Sequence, residues 1–85
     1  MKRAKLTYEQ LDKALLSLGF TCRTDEDEPA TQIYKHEQTG ALIMLPTLPK
    51  RDRVYEHHMI VVRITLDNFG IPLPSVFDAT VNQAG

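Results

Sequence analysis

Chemistry in this chain could come from four sets of residues. His36 stands two positions beyond Tyr34, so on a regular strand the two share a face, with Lys35 and Arg23 available for a phosphate. An imidazole there could act as a general acid or base in RNA cleavage, since histidine is the side chain that ordinarily changes charge near neutral pH. His57 and His58 follow Glu56 and invite a metal reading. Adjacent side chains on a helix diverge by about 100°, however, whereas helical metal pairs stand at i and i+4. No Cys-x-x-Cys or His-x-x-x-His occurs, so no metal site or cofactor is expected. Cys22 could serve as a nucleophile only if a histidine or helix N-terminus lowered its pKa. In an alternating segment it reads instead as a small core residue. Lys35, Lys50, Arg51 and Arg53 form the candidate contact set for a phosphate backbone or an acidic partner.

These residues need elements to hold them. Thr7-Tyr8-Glu9-Gln10 has the capping-box pattern, and Leu6 and Leu11 occupy the two positions of a hydrophobic staple. Tyr8, Leu11, Leu15 and Leu18 continue at helical spacing, and Gly19 fits a left-handed stop. The expectation is a helix over Tyr8–Leu18, preceded by a frayed Met1–Lys5. Phe20–Thr24 is rich in strand formers and ends at the acidic run Asp25–Glu28 and Pro29. Thr31–Pro46 reads as a hairpin. An alternating strand containing Ile33, Tyr34 and His36 leads through Gly40 into the apolar run Ala41–Leu45. Thr47–Asp52 is a loop. Tyr55, Met59, Val62, Leu66 and Phe69 make a helical stripe, so Arg53–Phe69 is expected to be one helix, capped by Asp52 and stopped at Gly70. The fold expected is α+β in the order α-β-β-β-α, with both helices on one face of a three-stranded antiparallel sheet.

Length and composition bound the function. Eighty-five residues make one domain, taken as 1–78 with a frayed tail over 79–85, and a chain so small has no room for a large internal cofactor cavity. The net charge of −1 gives no general argument for nucleic acid. Outside Asp25–Glu28, though, ten basic residues face seven acids, and a basic patch becomes feasible. A lone cysteine, no apolar leader after Met1 and no apolar run approaching about 20 residues lead to an expectation of a cytoplasmic chain with no membrane partner.

Leu18-Gly19-Phe20, Ile33-Tyr34-Lys35-His36, Gly40, the apolar strand ending at Pro46, Pro49-Lys50 and Leu66–Ile71 (LDNFGI) occur in the order and spacing of a known family. Over about Leu11 to Ile71 the chain resembles the HicA-type toxins, small mRNA interferases with a double-stranded-RNA-binding-domain-like fold. That family carries a Gly-Ser-His triplet at the start of its second strand, with the histidine catalytic. The corresponding places here hold Pro29, Ala30 and Thr31, and Gln32 stands where many members have a second histidine. A threonine hydroxyl titrates far outside the useful range, so Thr31 cannot take over that role. The resemblance therefore implies a non-catalytic module that binds RNA or a protein partner, an antitoxin-like protein among the candidates. Two alternatives stand beside it. One is an active interferase that uses a displaced histidine, with His36 the candidate. The other is a homodimeric interaction module joined through the hairpin edge or the Ile71–Phe77 segment.

Overall fold

The computed structural model describes residues 2–74. Its elements run β1 (Arg3–Thr7), α1 (Tyr8–Ser17), β2 (Phe20–Thr24), β3 (Thr31–His36), β4 (Leu42–Pro46), β5 (Arg53–Tyr55) and α2 (Glu56–Asn68). The α+β class, the two helices and the antiparallel sheet β2-β3-β4 are as the sequence predicts. A second sheet is not predicted: β1 and β5 pair antiparallel, Arg3 opposite Tyr55 and Thr7 opposite Arg53.

Local chemistry accounts for α1. Thr7 Oγ1 accepts from the Gln10 amide at 3.2 Å, and the Gln10 side chain accepts from the Thr7 amide at 2.9 Å, so the capping box closes in both directions. The helix ends at Leu18, and Gly19 follows with φ +102°, a region side chains rarely adopt. Leu11, Ala14 and Leu15 face inward.

The three-stranded sheet alternates cleanly. Phe20, Tyr34, His36, Ile43 and Leu45 are buried toward the helices, while Thr21, Arg23, Lys35, Leu42 and Met44 are exposed on the far face. Cross-strand register places Cys22 opposite Tyr34 and Tyr34 opposite Ile43, so both layers share one core with Met59, Val62 and Leu66 of α2. Cys22 is half-buried against that core.

Two boundaries differ from the sequence expectation. Met1–Lys5 is not frayed over its described part: Arg3 to Thr7 is a strand, because Ala4 and Leu6 alternate with the charged residues and sink into the core at 5 % and 3 % exposure. Arg53–Phe69 is not one helix either. Arg53–Tyr55 is extended so that β1 has a partner, and Val54 between them is fully buried. Asp52 does not cap α2. The cap position falls to Tyr55, which makes no side-chain cap bond, and the Glu56 amide donates instead to the Lys2 carbonyl at 3.1 Å. The other end of α2 stops as the sequence predicts. Gly70 (φ +70°) donates to the Asp67 carbonyl, and the amide of the buried Ile71 to that of Leu66, in a Schellman arrangement. The frayed tail predicted for 79–85 lies outside the described residues. Among the described residues no helix is long and apolar enough to cross a membrane.

Candidate nucleic-acid interface

The pairing of β1 with β5 joins two basic clusters about 50 residues apart in sequence. Arg3 and Lys5 alternate with buried Ala4 and Leu6, and Arg53 and Tyr55 flank buried Val54. Arg3, Lys5, Arg53 and Tyr55 therefore share the outer face of the ribbon. Lys50 and Arg51, both exposed, precede β5 in a loop docked onto the start of α1. The Tyr8 amide donates to the Asp52 carbonyl at 2.9 Å, and the Glu9 amide to the Lys50 carbonyl at 3.0 Å. These bonds satisfy donors that a helix start leaves unpaired, and they fix the loop beside the ribbon. Among the described residues, the only ion pairs within 4.0 Å are Lys13–Glu9 and Lys35–Glu37, so none of Arg3, Lys5, Lys50, Arg51 and Arg53 is ion-paired at that distance.

The ribbon is preorganised. The Arg3 guanidinium lies 3.7 Å from the Tyr55 ring centroid and donates to the Tyr55 hydroxyl and the Arg53 carbonyl, each at 2.7 Å. His57 stacks on Tyr55, with ring centroids 5.5 Å apart. Behind them the Tyr8 hydroxyl accepts from the Tyr55 amide at 3.2 Å and lies 2.8 Å from His58 Nδ1. Burial, then the positive charge available on His57 and Arg3, lowers the His58 pKa below its ordinary value.

The other candidates fall elsewhere. Lys35 is on the open face of the three-stranded sheet, 4.0 Å from Glu37. Strand alternation turns it away from the helix side of that sheet, so it does not join Lys50, Arg51 and Arg53. His36 is 6 % exposed, and both its ring nitrogens are engaged. Nε2 is 3.0 Å from the Leu18 carbonyl, which can only accept, so Nε2 carries the proton and Nδ1 accepts from the Thr39 hydroxyl at 2.9 Å. The ring ties the end of α1 to the hairpin turn and rests against Phe20, centroids 4.9 Å apart. That arrangement makes it a strut.

Thr31 hydrogen-bonds the Glu28 carboxylate at 3.4 Å, close to the acidic run. Nearby, a cleft of about 270 Å³ opens between α1 and the 46–50 loop, lined in part by Asp12, Gln32, Tyr34 and Lys50. Here the Tyr34 hydroxyl donates to Asp12 at 2.6 Å. Burial foremost, then this bond, raises the Tyr34 pKa far above the usual tyrosine range, so the phenol is a fixed donor rather than a base. Among the described residues no group of three or more His, Cys, Asp or Glu is arranged to hold a metal ion.

Sequence reasoning missed Arg3, Lys5 and Tyr55 as one surface, and Tyr8 and Asp12 as partners. The alternation Arg3-Ala4-Lys5-Leu6-Thr7 was the available signal for β1. Nothing local in Arg53-Val54-Tyr55 distinguishes a short strand from a first helical turn. Comparison with protein-family models, with curated proteins and with solved structures finds no match to any.

Proposed function

We propose that this chain is a non-catalytic, HicA-like module that binds RNA through the phosphate backbone, with the β1–β5 ribbon and the Lys50-Arg51 loop as the contact surface. The observation that carries this reading is the convergence of Arg3, Lys5, Lys50, Arg51 and Arg53, none of which forms an ion pair within 4.0 Å among the described residues. Surface cations left without acids attract polyphosphates by counterion release. The Arg3–Tyr55 stack presents a flat cation suited to phosphate or to an unpaired base. The position equivalent to the family's histidine is Thr31, and His36 has no free ring nitrogen, which favours binding without cleavage.

Titrating a labelled single-stranded RNA at two or more salt concentrations tests the reading. Engagement of all five cations gives a slope of about −3.5 in log affinity against log salt. Arg3→Glu and Arg53→Glu should each abolish most of the binding, while Lys35→Glu should leave it unchanged. Salt-independent binding, or loss on Lys35→Glu alone, would reject the surface. A second reading, cleavage by a displaced histidine, is favoured at one place only: His57 and His58 stand beside Arg3 and Tyr55. Incubating the same RNA with the wild-type chain and with His57→Ala separates the two.

A further inference from the structure

β4 is an outer strand of the three-stranded sheet, and the ladder fixes which way its backbone groups point. At one end the His36 amide donates to the Ala41 carbonyl, and at the other the Thr47 amide donates to the Ala30 carbonyl. Ala41, Ile43, Leu45 and Thr47 therefore turn their N–H and C=O groups toward β3, and Leu42 and Met44 turn theirs outward. Among the described residues no backbone bond reaches Leu42 or Met44 from that side. The same two residues carry exposed side chains, at 54 % and 58 %. Edge strands are normally protected by charge, and the opposite edge β2 is, with Arg23 and the acidic run that follows Thr24. Leu42-Ile43-Met44-Leu45-Pro46 has none.

We infer that β4 is the interface of a homodimer, pairing antiparallel with β4 of a second copy about a two-fold axis at Ile43 to give one continuous six-stranded sheet. Leu42 then faces Met44 of the second copy, and every outward N–H and C=O of these residues meets its complement. The partial charges are self-complementary, and no formal charge on β4 opposes the approach. Register follows from the neighbours. Pro46 has no amide proton, and the Gly40 amide already donates to the His36 carbonyl at 2.7 Å, so pairings shifted toward either residue lose bonds. In the chosen register Pro46 falls opposite Gly40 of the second copy, where no side chain obstructs it. A strand pair alone buries less than the roughly 1,200 Å² of a stable interface. The helix α2 lies against β4 and exposes Ile60, Val61 and Ile64, so apolar area beyond the strand is available. This inference is independent of the RNA-binding reading.

Sedimentation equilibrium of the 85-residue chain, run from low micromolar to submillimolar concentration, tests it. The expected result is a monomer–dimer equilibrium that Met44→Lys weakens by at least about tenfold, with an unchanged melting temperature at concentrations where both chains are monomeric. Arg23→Glu, on the other edge, should leave it intact. Mixed samples of differently isotope-labelled wild-type chains should show contacts between Leu42 and Met44 across copies, a readout needing no variant. A chain monomeric throughout, which would leave the edge to a strand of some other protein, overturns the inference. So does a dimer without those cross-copy contacts.

Discussion

The Tyr8 hydroxyl sits between the Tyr55 amide, 3.2 Å away, and His58 Nδ1, 2.8 Å away. The amide can only donate, so the hydroxyl accepts from it and keeps its own proton available to His58 Nδ1, an arrangement that suits a neutral imidazole. One phenol thus links the end of β5 to a histidine on α2.

That geometry sets a pH dependence. The folded-state pKa of His58 lies below its unfolded value, so the unfolded chain takes up the proton first as pH falls. Its contribution to stability is complete above about pH 6.5 and is lost as pH drops from there through the lowered folded value. Denaturant melts across pH 5 to 7.5 should show this decline, and His58→Gln should flatten it. Tyr8→Phe, which leaves the Tyr55 amide without its acceptor, should cost about 1–3 kcal/mol.

Tyr34 gives the opposite slope. A raised folded pKa means the phenol stays protonated while the unfolded chain ionises, so stability is full below about pH 10 and declines above it. Tyrosinate absorbance from Tyr34 should appear only on unfolding. Comparing alkaline melts of the wild-type chain with Tyr34→Phe isolates the effect, and that variant should itself lose about 1 kcal/mol at neutral pH.

His36→Ala removes two hydrogen bonds and opens a cavity against Phe20, and should destabilise by about 2–4 kcal/mol. RNA affinity measured well below the melting temperature should stay within about twofold of wild type, since additivity holds for distant sites. Loss of binding in a demonstrably folded variant would give His36 a role beyond the strut.

The acidic run leads into a segment tied to the loop that carries Lys50. The Thr47 amide donates to the Ala30 carbonyl at 2.6 Å, which holds the end of the Asp25–Ala30 loop against the start of the loop that carries Lys50. Replacing Asp25, Glu26, Asp27 and Glu28 by their amides should tighten RNA binding at low salt, with the gain shrinking as screening rises.

How much of this could be read in the chain follows from range. The capping box at Thr7, the stops at Gly19 and Gly70 and the turn at Gly40 depend on residues within a few positions, and the structure reproduces each of them. The β1–β5 pairing depends on residues about 50 apart, and its second strand is three residues long, too short for a period to register. The sequence therefore groups Lys50, Arg51 and Arg53 but leaves Arg3 and Lys5 apart from them. Lys35, grouped with the loop cations, lies instead on the open face of the three-stranded sheet. The burial of His36 was unreadable for a related reason: although Thr39 is three residues away, the Leu18 carbonyl that caps the other side of the ring is 18 residues away at the end of α1.

The ribbon also determines when the surface exists. Among the described residues β1 leans on β5 alone for its sheet hydrogen bonds, so its detachment would remove Ala4 and Leu6 from the core and scatter Arg3 and Lys5 together. On the proposed RNA-binding reading, docking of the amino-terminal segment and competence to hold a polyanion are a single event. A bound strand would then clasp the ribbon and should slow amide exchange in β1 more than anywhere else.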